Sequence, residues 1–235
     1  MKITLLSGKT FDFSKALGFD IKVVKSPTAR RLNLRIDERL RRPVLTIPRY
    51  CSNRKALAFV EANRDWIRNM LAKLPAGETF ADGSTVSVAG KIYTVRHLPG
   101  YRGADLKNGC LTVGGEPEFL HRRACDCLKK YAAEYLFERS AAAASQIGRQ
   151  VRRVTVKETK SRWGSCSTKN NINYNWRIIM APDYVINYLV CHEVAHLAHQ
   201  NHSEAFWQCV AALCPDYREG RRWLKVRGKE LYRWL

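Results

Sequence analysis

Acidic side chains are scarce in this sequence: 21 Asp and Glu stand against 41 Lys and Arg, a formal net charge of +20 over 235 residues. Long apolar runs are missing too. No stretch approaches the roughly 18 residues of a spanning helix, so no membrane association is expected. The opening MKITLLSGKTFDFSK meets Asp12 and several lysines before an apolar segment can form. It does not read as a secretory signal, and a cytoplasmic protein is expected. The eight cysteines include no Cys-x-x-Cys pair, which argues against zinc ribbons and thioredoxin-type motifs. Without a secretory signal they are expected to be reduced and mostly buried as small hydrophobes, Cys125 and Cys127 among them. Internal repeats, low-complexity tracts and long linkers are also lacking. A hydrophobic fraction of 46% is enough for a packed core, so wholesale disorder is not expected.

The N-terminal part carries short strand-like runs at Lys2–Leu6, Ile21–Lys25, Arg31–Ile36 and Pro43–Ile47. In RRLNLRID the apolar Leu32, Leu34 and Ile36 alternate with polar residues, the pattern of a half-buried strand. A helix is expected from Ser52 or Asn53 to about Leu74, stopped by Pro75-Ala-Gly. Strand signals follow at Ser84–Val88, Ile92–His97 and Cys110–Val113, with glycines between them. A long helix then runs from about Glu118 to Ile147, and strands are expected at Arg152–Lys160 and Ile172–Ile179. A helix opening at Asp183, its expected cap, and another over Ser203–Cys214 complete the pattern. The fold class is α+β. A β-rich basic region with one helix, residues 1–115, is expected to pack on an α+β domain, residues 116–235.

Four of the six histidines fall within His192–His202, in the run HEVAHLAHQNH. On a helix, His192 and His196 are i and i+4, so their imidazoles leave one face a turn apart. That spacing suits a tetrahedral zinc ion, with Zn–N distances of about 2.0–2.1 Å. Val185, Ile186, Leu189, Val190, Val194 and Leu197 supply the apolar stripe such a helix needs. The third ligand has two candidates. His199 lies three residues after His196, whereas His202 lies six after it, the spacing of the third His in H-E-x-x-H-x-x-G-x-x-H. His202 is preferred because it follows the turn and precedes a new helix start at Ser203. The Gly of that motif is His199 here, which leaves Asn201 as the expected left-handed pivot. Cys191 points off the ligand face and is a poor fourth ligand.

A site with three histidines keeps one position open for a water whose pKa zinc lowers to about 7. Glu193, beside the first ligand, is placed to take that water's proton and deliver it to a leaving amine. An oxyanion would need a further donor, for which Tyr184, Tyr188, Tyr217 and Arg218 are the candidates.

Three segments together, KETKSRWGSCS (157–167), NINYNWRIIMAP (171–182) and VCHEVAHLAHQNHSEAFW (190–207), resemble the YgjP-like zinc metallopeptidases, relatives of the SprT-like and WLM peptidases within the zincins. The resemblance extends more weakly to ARRLNLRID and LTIPR. It implies a minimal zincin fold, with His192, His196 and His202 as zinc ligands, Glu193 as general base and a protein or peptide substrate. It also implies that the run around Trp163-Gly164-Ser165-Cys166 is a strand beside the cleft. Gly164 there allows close backbone approach, and an edge strand could pair with an extended substrate. Trp163, Trp176 and Trp207 are expected to pack. One departure from SprT-like proteins stands out: only 33 residues follow His202, with Cys209 and Cys214 as a lone pair, so the zinc ribbon those proteins often carry is not expected here, which weakens transfer of their DNA–protein crosslink role.

The charge is unevenly placed. Residues 1–75 carry a net +11 and residues 221–235 a net +5, while residues 181–220 are net −4. Arg30, Arg31, Arg35, Arg39, Arg41 and Arg42 form one dense stretch, and Arg149, Arg152, Arg153, Lys157, Lys160 and Arg162 another. If they converge they would give nonspecific, salt-sensitive nucleic-acid contact through the basic N-terminal surface. The competing reading of the chain is therefore a nucleic-acid-binding module whose zinc is only structural.

Overall fold

The computed structural model describes residues 2–4, 10–37, 40–74, 77–159 and 162–234, with side chains from Asp12 onward. Leu5 and Leu6 of the first expected strand, the helix stop at Pro75-Ala76, and Arg39 and Lys160 of the basic stretches lie outside the described residues. The chain is α+β and divides into two compact units, residues 1–76 and 77–234.

In the first unit β1 (Lys2–Thr4) and β2 (Thr10–Asp12) pair antiparallel, and α1 (Phe13–Leu17) follows. Next come β3 (Lys22–Ser26), β4 (Asn33–Asp37) and β5 (Arg42–Pro48), in the spatial order β3-β5-β4. The central strand β5 buries Val44, Leu45 and Ile47, as expected for a strand covered on both sides. The helix expected as one piece is two, α2 (Asn53–Ala62) and α3 (Arg64–Ala72). Asn63 separates them: its side-chain amide donates to the Phe59 carbonyl at 2.8 Å, a local bond that competes with continued helix. Ala56 and Val60 of α2 and Ile67 of α3 share a core with Phe13, Ile21, Leu45 and Ile47.

The second unit begins with β6 (Thr85–Val88), β7 (Lys91–Leu98), β8 (Ala104–Lys107) and β9 (Cys110–Gly114), a sheet in the order β6-β7-β9-β8. A 3-10 turn leads into α4 (Leu120–Gln146), whose buried Leu120, Ala124, Leu128, Ala132, Leu136 and Ser140 recur every four residues along one face. Then β10 (Arg153–Lys157), β11 (Gly164–Cys166) and β12 (Asn171–Asn175) form a second sheet in the order β10-β12-β11. After a 3-10 segment at Trp176–Met180 come α5 (Asp183–Ala195), α6 (Glu204–Leu213) and α7 (Tyr217–Arg227).

The division falls at residues 76 and 77, whereas the sequence pattern places it at 115. The reason is a shared core: Val86, Val95 and Leu111 of the first sheet lie in one cluster with Leu128 and Leu136 of α4, Ile172 of β12 and Leu189 of α5. A cut at 115 would open that cluster and expose apolar surface costing about 25 cal/mol per Å².

Two contacts fix α5, the helix that matters most below. Asp183, expected as its cap, instead lies in its first turn, with Pro182 at the cap position. There its carboxylate accepts hydrogen bonds from the Tyr135 hydroxyl at 2.5 Å and the Arg139 guanidinium at 2.8 Å, both on α4. The two-residue turn between β6 and β7 also presses on it. A Cβ at Gly90, where φ is 78°, would lie 3.2 Å from the Asp183 nitrogen.

Candidate metal centre

His192 leaves α5 in its last turn, and His196 follows at the C-cap, still in helical conformation with φ −66° and ψ −15°. Beyond it the chain turns without any left-handed residue. Asn201 is not among the residues with positive φ, so the expected pivot is not used. Instead the amides of Ala198 and His199 donate back to the Ala195 carbonyl, and the Gln200 side chain donates to the His196 carbonyl at 2.6 Å. Ser203 then caps α6 by accepting the Phe206 N–H at 3.4 Å. This turn returns His202 to the other two.

The three imidazoles form a nearly equilateral group, with ring centroids 5.1 Å apart for His192 and His196, 5.1 Å for His192 and His202, and 4.8 Å for His196 and His202. One nitrogen from each can be chosen so that all lie within 4.8 Å of one another. His199 is not part of the group; its carbonyl faces His196 Nδ1 at 3.0 Å. An N–H on that nitrogen donates to the carbonyl and leaves Nε2 with a free lone pair.

Phe206, fully buried, is the hub behind the three rings, at 5.0 Å from His192, 4.5 Å from His196 and 4.8 Å from His202. Trp207 lies nearly parallel to His202 at 5.9 Å and is itself covered by the Arg221 guanidinium at 4.6 Å. Their packing role has a sequence signal in the helix start SEAFW, but the meeting of Phe206 with all three rings, and of Trp207 with His192 and His202, depends on the fold.

A cleft of about 380 Å³ opens in front. One side is Arg162, Gly164, Ser165 and Cys166; the other is His192, Glu193, His196 and His202, with Gln200. A Cβ on Gly164 would lie 2.4 Å from Glu193 Oε1, so only glycine lets β11 pass this close to the carboxyl group. Burial pushes the Glu193 carboxyl up to about 8, with Arg162 acting in the opposite direction. Burial, then the neighbouring His196 and His202, lowers His192 to about 4. His196 is also lowered, chiefly by burial. Neutral imidazoles offer lone pairs, which is what a cation needs.

A family model described as YgjP-like, metallopeptidase domain, matches residues 30–227. The chain belongs to the YgjP-like metallopeptidase family. No curated protein matches it. Among solved structures, the metallopeptidase zymogen of Pyrococcus abyssi abylysin is similar at 24% identity, over 40% of this chain and 95% of that one, with a TM-score of 0.34.

Membership in the YgjP-like family implies a metal ion, and the residues present fit one. His192 Nε2 and His202 Nε2 face each other at 3.2 Å. Two nitrogens bound at about 2.0–2.1 Å in a tetrahedron lie about 3.3 Å apart. Glu193 Oε2 is buried with no hydrogen-bond partner, as is His192 Nδ1. An unsatisfied buried carboxyl oxygen costs a fold roughly 1–3 kcal/mol and points to a function.

Cys191 faces away, packing with Tyr188 and Cys214, and all eight cysteines are free. None of the four residues expected to stabilise an oxyanion lines the cleft. Tyr188 is buried behind His192, Tyr217 stacks on Trp207, Arg218 lies over Tyr217, and Tyr184 is exposed early in α5. The two basic stretches belong to different units. In the first, Arg42 is paired with Asp20 at 3.1 Å, and nearby Arg64 and Arg68 are paired with Glu61 and Asp65, so part of that charge is already neutralised. No helix among the described residues is long and apolar enough to cross a membrane.

Proposed function

We propose that this YgjP-like protein is a zinc-dependent metallopeptidase, with His192, His196 and His202 holding the ion and Glu193 as general base. The observation that carries the reading is the convergence of three imidazoles with a buried, unpartnered carboxyl oxygen on one open cleft. When bound, zinc supplies Lewis acidity toward a peptide carbonyl and toward water. The chain's own residues do the rest. Glu193 Oε2 has no competing hydrogen bond, so it is free to accept the proton of the attacking water and pass it to the departing amine. Burial, which raises the carboxyl pKa, makes Glu193 the stronger acceptor of that proton.

β11 is the outer strand of its sheet, and Gly164, Ser165 and Cys166 also line the cleft. An extended peptide can therefore add to β11 as a further strand, which fixes its backbone while leaving side chains free to choose. The identity of the metal as zinc rests on the donor set: three imidazole nitrogens without a thiolate or a built-in fourth protein ligand suit an open zinc site.

The test is metal analysis together with cleavage of a broad peptide library by wild type and Glu193→Gln. About one zinc per chain in both, with cleavage confined to wild type, is the expected result. Full activity in the variant would remove Glu193 from the mechanism. Zinc binding with no cleavage, and unfolding on chelation, would favour the nucleic-acid-binding module with a structural zinc.

A further inference from the structure

Peptide hydrolysis by the proposed route builds negative charge on the carbonyl oxygen, and none of the tyrosines singled out by sequence reaches the cleft. One side chain of the second basic stretch does. Arg162 supplies the single guanidinium among the cleft residues. It is exposed, and it has no ion-pair partner among the described residues.

Arg162 lies two residues before β11, whose Gly164, Ser165 and Cys166 line the same side of the cleft, while Trp163 between them is not among the lining residues. Trp163 lies against Tyr232, at 5.4 Å between rings. The backbone at this point is held on both sides. The Thr159 hydroxyl donates to the Arg162 carbonyl at 2.5 Å, and the Asn175 N–H donates to the Trp163 carbonyl at 2.8 Å. A pinned backbone with an unpaired cationic side chain over a cleft is arranged to meet something that enters.

The geometry points to Arg162 as a catalytic residue that donates hydrogen bonds to the carbonyl oxygen of the scissile peptide as charge develops there. This inference rests on the metallopeptidase reading. In the step concerned, the water oxygen forms a bond to the carbonyl carbon while the C=O π pair moves onto the oxygen that Arg162 holds. The water's proton goes to Glu193. On collapse the π bond re-forms, the C–N bond breaks, and the proton passes from Glu193 to the amine nitrogen. A guanidinium suits the task because it stays protonated throughout and presents several donors in a fixed plane. A lysine would bring the charge without the fork.

The experiment uses the full-length, metal-loaded chain and a peptide that wild type cleaves. Arg162→Gln and Arg162→Lys should retain metal content and melting temperature, as expected for an exposed side chain. In Arg162→Gln, kcat should fall by about 10²–10³-fold, the cost of losing one oxyanion donor, with KM little changed. Calorimetric affinity for a phosphinic peptide, which mimics the tetrahedral oxygen, should fall with kcat, while affinity for the product peptide should not. Guanidinium ion added to Arg162→Gly should restore part of the rate. An unchanged kcat, an unchanged phosphinate affinity, or a loss confined to KM for peptides with acidic side chains would each overturn the role. The two failures are distinguishable. A metal-loaded wild type that cuts no peptide sinks the metallopeptidase reading, and this inference with it. An active wild type whose Arg162 variants are equally active sinks this inference alone.

Discussion

At the scale of single residues, Gly164 is the sharpest case of a position chosen by a neighbour far away in sequence. Its missing Cβ leaves room for the Glu193 carboxyl group, whose Oε1, Cδ and Cγ would all lie within 2.7 Å of an added methyl. Contacts that short cannot be absorbed without movement, and Glu193 is buried, so the carboxylate must give way. Gly164→Ala is expected to lower kcat by on the order of 10²-fold, the usual effect of displacing a catalytic group by about 1 Å. It should leave metal stoichiometry intact, because the three atoms nearest an added methyl all belong to Glu193 and none to a histidine. Steady-state kinetics alongside metal analysis decides the point: a variant with full kcat would show that the cleft is looser than its geometry. The histidines and Glu193 were legible because helical spacing alone brings His192 and His196 together. Arg162 and Phe206 were not, since each reaches the site through strand pairing or a helix start that returns the chain. The Asn201 pivot failed for a related reason. Side-chain and backbone hydrogen bonds from Ala198, His199 and Gln200 make the turn, so no left-handed residue is needed.

At the scale of elements, legibility tracks length and apolar content. α4 spans 27 residues without a breaker and α5 is apolar and buried along most of its length, so both are legible. β8 is a four-residue strand of sequence ADLK with no alternation to recognise, and α7 is dominated by charged residues, so neither stood out. α4 also sets a pH dependence. Burial pushes the Cys125 and Cys127 thiols up to about 11 from an ordinary 9.0, and the Tyr135 phenol up to about 12 from 10.0. For a raised pKa the folded chain holds its proton longer than the unfolded one. The stabilisation is therefore complete below the unfolded pKa and disappears as pH rises through the folded value. For the two thiols that window runs from about pH 9 to 11. Melting temperature should accordingly decline more steeply across this range in wild type than in Cys125→Ala/Cys127→Ala, with no difference in slope from pH 7 to 8. Parallel curves for the two proteins at alkaline pH would show that the thiols remain protonated in both states or are not buried as described.

At the scale of the molecule, the excess of positive charge and the metal chemistry are separable features. The segment from 181 to 220, which holds the histidines, is net −4 in a chain of +20, and the +11 of residues 1–75 belongs to a unit with its own core. The core of the other unit runs through α4, α5 and both of its sheets, and the histidines hang from the end of one of those helices. An ion bound by His192, His196 and His202 would then tie the end of α5 to the start of α6, elements within one unit. Binding stabilises whatever must open to release the ligand, by about 2.7 kcal/mol at a hundredfold excess over Kd. Hydrogen exchange measured with and without zinc should show that stabilisation as slower exchange, up to about 10²-fold, in amides of residues 164–166 and 192–210. Amides of residues 12–74 should exchange at the same rates in both states. Protection spreading evenly through both units would mean that the metal holds the whole chain together, as a purely structural ion would. Protection absent from 192–210 would mean that the histidines do not bind it. Localised protection is the outcome that fits an ion held at the cleft lined by His192, His196 and His202, with Glu193 and Arg162 beside it.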